Sequence, residues 1–221
     1  MPSALQIKKA LQPLLQRNPD LALVHRFVVI KPVHHIQRGI YFKSGSSDTF
    51  YPYWTVNVLF APQVLGFDMI WAREVYASPL RSGFHSYHSD VSELLCGQIE
   101  RVALPLLRQV QTIDDFVAFN TAERFPLQQL DGFPYIKVYI DIARGDFDAA
   151  LKICDRMRAQ GKDSSYWMPK TYDVITNKFY PMLIANDRAA LAQVLREWER
   201  YQVNGRKLEK LWESTPFPLE L

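Results

Sequence analysis

All five histidines of the chain, His25, His34, His35, His85 and His88, fall within its first ninety residues. The stretch His85-Ser86-Tyr87-His88-Ser89-Asp90 sets two imidazoles three residues apart beside a carboxylate. On a helix that spacing would bring both rings to one face, and His34 from a neighbouring strand would add a third ligand of the kind zinc or iron takes. His85, His88 and His34 are therefore the candidate metal ligands. Against that, the segment follows Gly83 and reads as a loop, and Asp90 has a competing task as the cap of the next helix. No His-Glu-x-x-His motif and no close cysteine pair supplements the set. No cofactor is expected.

Nucleophilic catalysis has less to recommend it. The chain carries no Gly-x-Ser-x-Gly elbow and no P-loop or kinase signature. Cys96 and Cys154 each sit in an amphipathic helical run, where burial raises a thiol's pKa and makes it a poor nucleophile. Core thiols are the expectation, with a bridge between them as the minor alternative. No catalytic residue is assigned, and an enzyme is the less favoured class.

Aromatic side chains offer a different chemistry. Tyr41, Tyr53, Trp54, Trp71, Arg73 and Tyr87 lie in strands or loops and are the candidate partner-binding residues, because such rings bury much area, lose little rotamer entropy and keep a polar tip. Interleaved with them are Arg26, Lys31, Arg38, Lys43 and Arg81, a mixture that also suits stacking of single-stranded nucleic acid. That alternative is weakened by the scatter of the cations. The net charge is only +3, with nine Lys/Arg against five Asp/Glu in residues 1–90 and seventeen against eighteen in the remainder.

Elements to position these residues follow from periodicity. Leu5, Ile7, Ala10, Leu11, Leu14 and Leu15 predict an opening helix, its last turn weakened by Pro13. Residues 21–31 read as one strand, apolar on both faces and hence central. Residues 39–43 and 53–60 predict a hairpin around Ser44-Gly45-Ser46-Ser47-Asp48, with Trp54, Val56, Val58 and Phe60 on one face and Tyr53, Thr55, Asn57 and Leu59 on the other. Residues 69–76 supply a fourth strand, and 77–83 close the sheet region.

From Asp90 onward the period is helical. Val91 to Leu107 traces one apolar face, which Pro105 should kink, and a shorter helix near Asp114 carries Phe116 and Phe119. Residues 134–144 end at Gly145, and Asp146 caps a second helix that runs to Gln160, the punctuation of a tight helical hairpin. A fainter copy follows, where Ile184-Ala185-Asn186-Asp187 precedes Ala189-Ala190-Leu191 as Ile142-Ala143-Arg144-Gly145-Asp146 precedes Ala149-Ala150-Leu151. The first copy, GDFDAALKICDRM, resembles the inter-helix turn and second helix of a tetratricopeptide hairpin. The resemblance spans about twenty-five residues and implies a helical hairpin, with no function attached. Residues 207–212 would add a last helical turn or two.

The sequence thus predicts an α+β protein: an N-terminal helix and an antiparallel sheet of three or four strands, followed by an all-α region of five or six helices in antiparallel hairpins. Residues 1–89 form the helix-plus-sheet region and 90–221 the helical region, expected to pack as one compact unit. With no secretion signal at the start and no run long enough to cross a bilayer, a cytoplasmic location and no membrane partner are expected. The function expected is non-catalytic binding of another protein, as an adaptor, an inhibitor or an immunity-like protein. The alternatives are a metal-dependent enzyme using the N-terminal histidines, or nucleic-acid binding through the basic aromatic sheet.

Overall fold

Helix α1 (Ala4–Arg17) opens the computed structural model, which describes residues 4–45, 49–62, 71–75, 84–85, 91–122, 133–162 and 169–221. Its Ile7, Leu11 and Leu14 recur at helical spacing and are fully buried, while Leu5 faces solvent. Pro13 does not end the helix, which continues to Arg17. The last turn is closed at Asn18, whose backbone N–H and side-chain Nδ2 both donate to the Leu14 carbonyl, at 3.0 and 2.9 Å.

The sheet comprises β1 (Leu21–Val24), β2 (Phe27–Ile30), β3 (Ile36–Ser44), β4 (Thr49–Val58) and β5 (Trp71–Glu74), antiparallel throughout and in that spatial order. A two-residue β6 (Phe84–His85) also pairs with β4. Five strands along the path replace the three or four expected, and the extra one has a specific origin. The single central strand read across residues 21–31 is a hairpin, folded at His25-Arg26 with Val24 opposite Phe27. His25 takes φ 54°, the left-handed conformation that a two-residue hairpin loop demands. Glycine, asparagine or aspartate would have announced such a turn. The fold also puts β1 at one end of the strand order rather than in the middle.

After the sheet the described chain is helical. Helix α2 (Val91–Gln98) continues through a π-helical turn, Ile99–Ala103, into α3 (Leu104–Leu107), and α7 (Pro169–Val174) likewise continues through Ile175–Phe179 into α8 (Tyr180–Ile184). In both runs a proline, Pro105 or Pro181, stands two residues beyond the π turn. A proline has no N–H to give and its ring crowds the carbonyl four residues back, so a widened turn lets the helix run on past it. The distortion predicted at Pro105 takes this form.

Two compact units emerge from the contacts. The described parts of residues 1–58, 68–111 and 207–213 make one, and those of 59–67, 112–206 and 214–221 the other. The change of period after residue 89 therefore does not coincide with the division, because α2 packs on α1 and belongs with the sheet. Ser92 Oγ donates to the Ala10 carbonyl at 2.7 Å, and Arg17 forks onto Glu100 at 2.9 and 3.0 Å. Arg108 in turn clasps both oxygens of Asp20 at 2.9 Å. Residues 207–212 are not helical. Trp212 bridges Val33 in parallel, with the Val33 amide donating to the Leu211 carbonyl at 2.9 Å.

The second unit holds α4 (Ile113–Ala122), α5 (Pro134–Arg144), α6 (Phe147–Gln160), the α7–α8 run, α9 (Arg188–Gly205) and a 3-10 turn at Pro218–Glu220. Both predicted turns are present and share their hydrogen bonds. Gly145 has φ 78° and Asn186 φ 50°. The Asp146 amide donates to the Asp141 carbonyl and that of Asp187 to the Met182 carbonyl, each at 2.9 Å. The Asp146 carboxylate then accepts from the Ala149 amide at 3.1 Å, and that of Asp187 from the Ala190 amide at 3.0 Å. The helical hairpin implied by the tetratricopeptide resemblance is thus there. Contacts run from α5 to α6, α6 to α8, α8 to α9 and α9 back to α5, so the two hairpins close a ring rather than extend a stack with one concave face.

Candidate functional site

Strand alternation gives the sheet two faces with different fates. Register sets Leu23, Val28, Ile40, Trp54 and Arg73 side by side across five strands, and the neighbouring row is Val24, Phe27, Tyr41, Tyr53 and Glu74. Successive residues point to opposite faces, so these rows lie on opposite sides. The first belongs to the core face: Val28 and Ile40 are fully buried, Trp54 is 2% exposed, and Val56, Trp71 and Phe42 are buried on the same side. Every member of the second row is half-exposed.

That outer row is built from rings. Phe27 and Tyr41 lie with centroids 5.9 Å apart, tilted by 39°, and Tyr53 stands directly opposite Tyr41 in the adjacent strand. The Tyr53 hydroxyl points at Glu74 Oε2, 3.5 Å away. Exposed Lys43 and half-exposed Tyr51 face each other in the next row towards the β3–β4 turn, on the same side of the sheet. On the opposite side of the sheet, to which Phe42 and Ser44 point, Arg26 hydrogen-bonds Ser44 Oγ, which ties the β1–β2 turn to the end of β3. In the other direction the ring row gives way to Ala22, Val29, Gly39, Thr55 and Ala72, of which Val29, Gly39 and Thr55 are buried, and then to the buried pair Gln37 and Asn57, so across β2, β3 and β4 the exposed part of this face is confined to the ring rows near the β3–β4 turn. Gly39 is required there: a Cβ would stand 1.9 Å from the Val28 carbonyl oxygen.

The candidate residues therefore divide. Tyr41 and Tyr53 come together on the outer face, as a binding role needs. Trp54 and Trp71 do not join them, being core residues on the opposite side and 2% and 1% exposed. Arg73 is exposed, but on the core-face row, with its guanidinium 5.9 Å from the Trp54 ring centroid. Tyr87 and His88 lie outside the described residues. Phe27 is the member that sequence reasoning missed, because its face is assigned only once the turn at His25 is known.

Of the candidate metal ligands, His34 has its Nδ1 3.0 Å from the Glu213 carbonyl oxygen. A carbonyl only accepts, so that nitrogen carries a proton and donates it. His85 belongs to β6 by its backbone, and its side chain, like the whole of His88, lies outside the described residues. Among the described residues no group of three His, Cys, Asp or Glu side chains is placed to hold a metal ion. Arg38, one of the cations offered for nucleic acid, is buried on the core face and donates to the Val110 carbonyl.

Both cysteines are free and buried. Burial pushes the Cys96 thiol up and the Cys154 thiol up to about 12, so neither is a ready nucleophile. No described helix is long and apolar enough to cross a membrane. No family model matches the chain, and neither a curated protein nor a solved structure similar to it is found.

Proposed function

We propose that the protein is a non-catalytic interaction module and that the outer face of its sheet receives another protein. The observation that carries this reading is the row of half-exposed rings, Phe27, Tyr41 and Tyr53, set shoulder to shoulder across three adjacent strands. A folded chain gains by hiding such rings, and those left at a surface supply the aromatic anchors around which protein interfaces are built. A rigid sheet also holds them in place before binding, which lowers the ordering cost of association.

The test is capture from a native extract on the immobilised chain, with a Tyr41→Ser, Tyr53→Ser double variant as control. Wild type retains a partner that the variant loses, while circular dichroism and the denaturant midpoint show the variant folded. Equal retention by both sinks the proposal. Retention abolished by nuclease would transfer the face to nucleic acid.

A further inference from the structure

We infer that a second copy of this chain pairs with the free edge of β1, antiparallel and two-fold symmetric about Leu23, so that the two sheets become continuous. This concerns the edge of the sheet and stands apart from the reading of its outer face. β1 and β5 are the two ends of the strand order. β5 carries Arg73 and Glu74, charges of the kind that keep an edge from adding strands. β1 is Leu21-Ala22-Leu23-Val24, with no charge, no proline and no bulge in its register with β2. Leu21 is buried and the other three are half-exposed.

Hydrogen bonding fixes which backbone groups of that edge are open. The Lys31 amide donates to the Asp20 carbonyl at 2.7 Å across the β1–β2 ladder, so by alternation the groups of Ala22 and Val24 also turn towards β2. Those of Leu21 and Leu23, with the His25 amide, point the other way. The Leu21 amide donates to the Asn18 carbonyl at 3.0 Å, while the Leu21 carbonyl, both Leu23 groups and the His25 amide have no partner among the described residues. That order of acceptors and donors is its own complement when reversed. With Leu23 opposite Leu23 of the second copy, the two exchange both bonds, and each Leu21 carbonyl accepts from the other copy's His25 amide, which leaves none of these groups open. On the outer side each Ala22 then faces the other copy's Val24, and the ring rows of both copies lie on one surface. A strand from an unrelated protein is a poorer occupant. The edge is bounded by the turn at Asn18 and the hairpin at His25-Arg26, and it holds no charge with which to select a sequence or a register, whereas the two-fold makes every favourable contact occur twice.

Pairing through so short an edge is weak, and the experiment is chosen for that. Sedimentation velocity on the full chain, carried into the high micromolar range, should show monomer giving way to dimer. Over the same range the Leu23 and His25 amides should exchange more slowly with deuterium. Two double variants test the register. Ala22→Lys with Val24→Lys sets like charges directly opposite one another at both pairs and should weaken association about tenfold, and Ala22→Glu with Val24→Glu should do the same. An equal mixture of the two should associate at least as tightly as wild type, with circular dichroism showing each variant folded by itself. A wild-type chain that stays monomeric, a dimer in which Leu23 and His25 exchange as they do in the monomer, or a mixture of folded variants that does not associate overturns the inference. Each of these results leaves the reading of the outer face where it stood, since that depends on Tyr41 and Tyr53.

Discussion

Aromatic residues meet opposite fates in the two units. In the helical unit Tyr139 of α5, Phe179 before α8 and Trp198 of α9 close on one another with centroids 5.1 to 5.3 Å apart. Tyr139 and Phe179 are fully buried there. The Tyr139 hydroxyl is enclosed without a hydrogen-bond partner among the described residues, and burial holds its pKa well above the ordinary phenol range. In the sheet unit the Phe27 and Tyr41 rings lie 5.9 Å apart and, with Tyr53 opposite Tyr41, remain half-exposed, and the Tyr53 hydroxyl is turned towards Glu74. An enclosed ring contributes to stability even when its polar tip is poorly served. A ring left at a surface contributes far less to folding, and for that reason is available to a partner. The number of aromatic residues therefore says little about function, whereas the face each one occupies says much.

The widest separation lies between neighbours in one strand. Trp54→Ala removes a core side chain and should lower stability by about 3–5 kcal/mol. Tyr53→Ala, one residue away on the outer face, should cost about 1 kcal/mol. Denaturant midpoints on the two variants decide the matter. Equal costs would mean that the outer row is a second core face and would remove the structural basis of the proposed interface.

This contrast is partly written in the sequence. The alternation of Trp54, Val56 and Val58 with Tyr53, Thr55 and Asn57 already separates the two faces of β4, and it holds because side-chain direction in a strand has period two. What it does not carry is which set faces inward, since both contain rings, and so Trp54 and Tyr53 look alike as binding residues. Trp71 fails for the same reason. The hairpin at His25-Arg26 is illegible for another: its flanks are apolar throughout, and its left-handed residue is a histidine, which lacks the turn signature of glycine or asparagine. The helical hairpins are far easier to read, because glycine at a left-handed position and aspartate at a cap each have one dominant use.

A smaller effect distinguishes the two copies of the helical turn. Gly145 and Asn186 occupy equivalent left-handed positions, but only glycine adopts that conformation without a Cβ penalty. Gly145→Ala should cost about 1 kcal/mol, and its origin is conformational, because the new Cβ would lie 3.5 Å from its nearest neighbour in Leu219, an ordinary contact. Asn186→Gly should stabilise by about 0.5 kcal/mol. Thermal midpoints of opposite sign confirm that the copies share one geometry. A Gly145→Ala variant as stable as wild type would show that the first turn does not need its left-handed residue.

The smallest expected effect separates the units by pH. In the sheet unit Glu100 is held below the usual carboxylate range, first by its hydrogen bond from Arg17 and further by Asn18. In the helical unit Asp141 is raised, first by burial, although Lys137 pairs with it at 2.6 Å. A lowered folded pKa means that Glu100 adds stability above its unfolded value and loses it as pH falls through the folded value. Asp141 works in reverse: its ionised form opposes folding above its raised folded pKa, and the penalty fades as pH drops through it. Glu100→Gln should therefore cost about 0.5 kcal/mol or less at neutral pH, given its partial exposure to screening solvent, and the difference from wild type should close on acidification. Against Asp141→Asn, wild type should gain ground over the same descent. Stability curves of the two variants that bend in the same direction would contradict the assignment of one carboxylate to a charge pair and the other to burial.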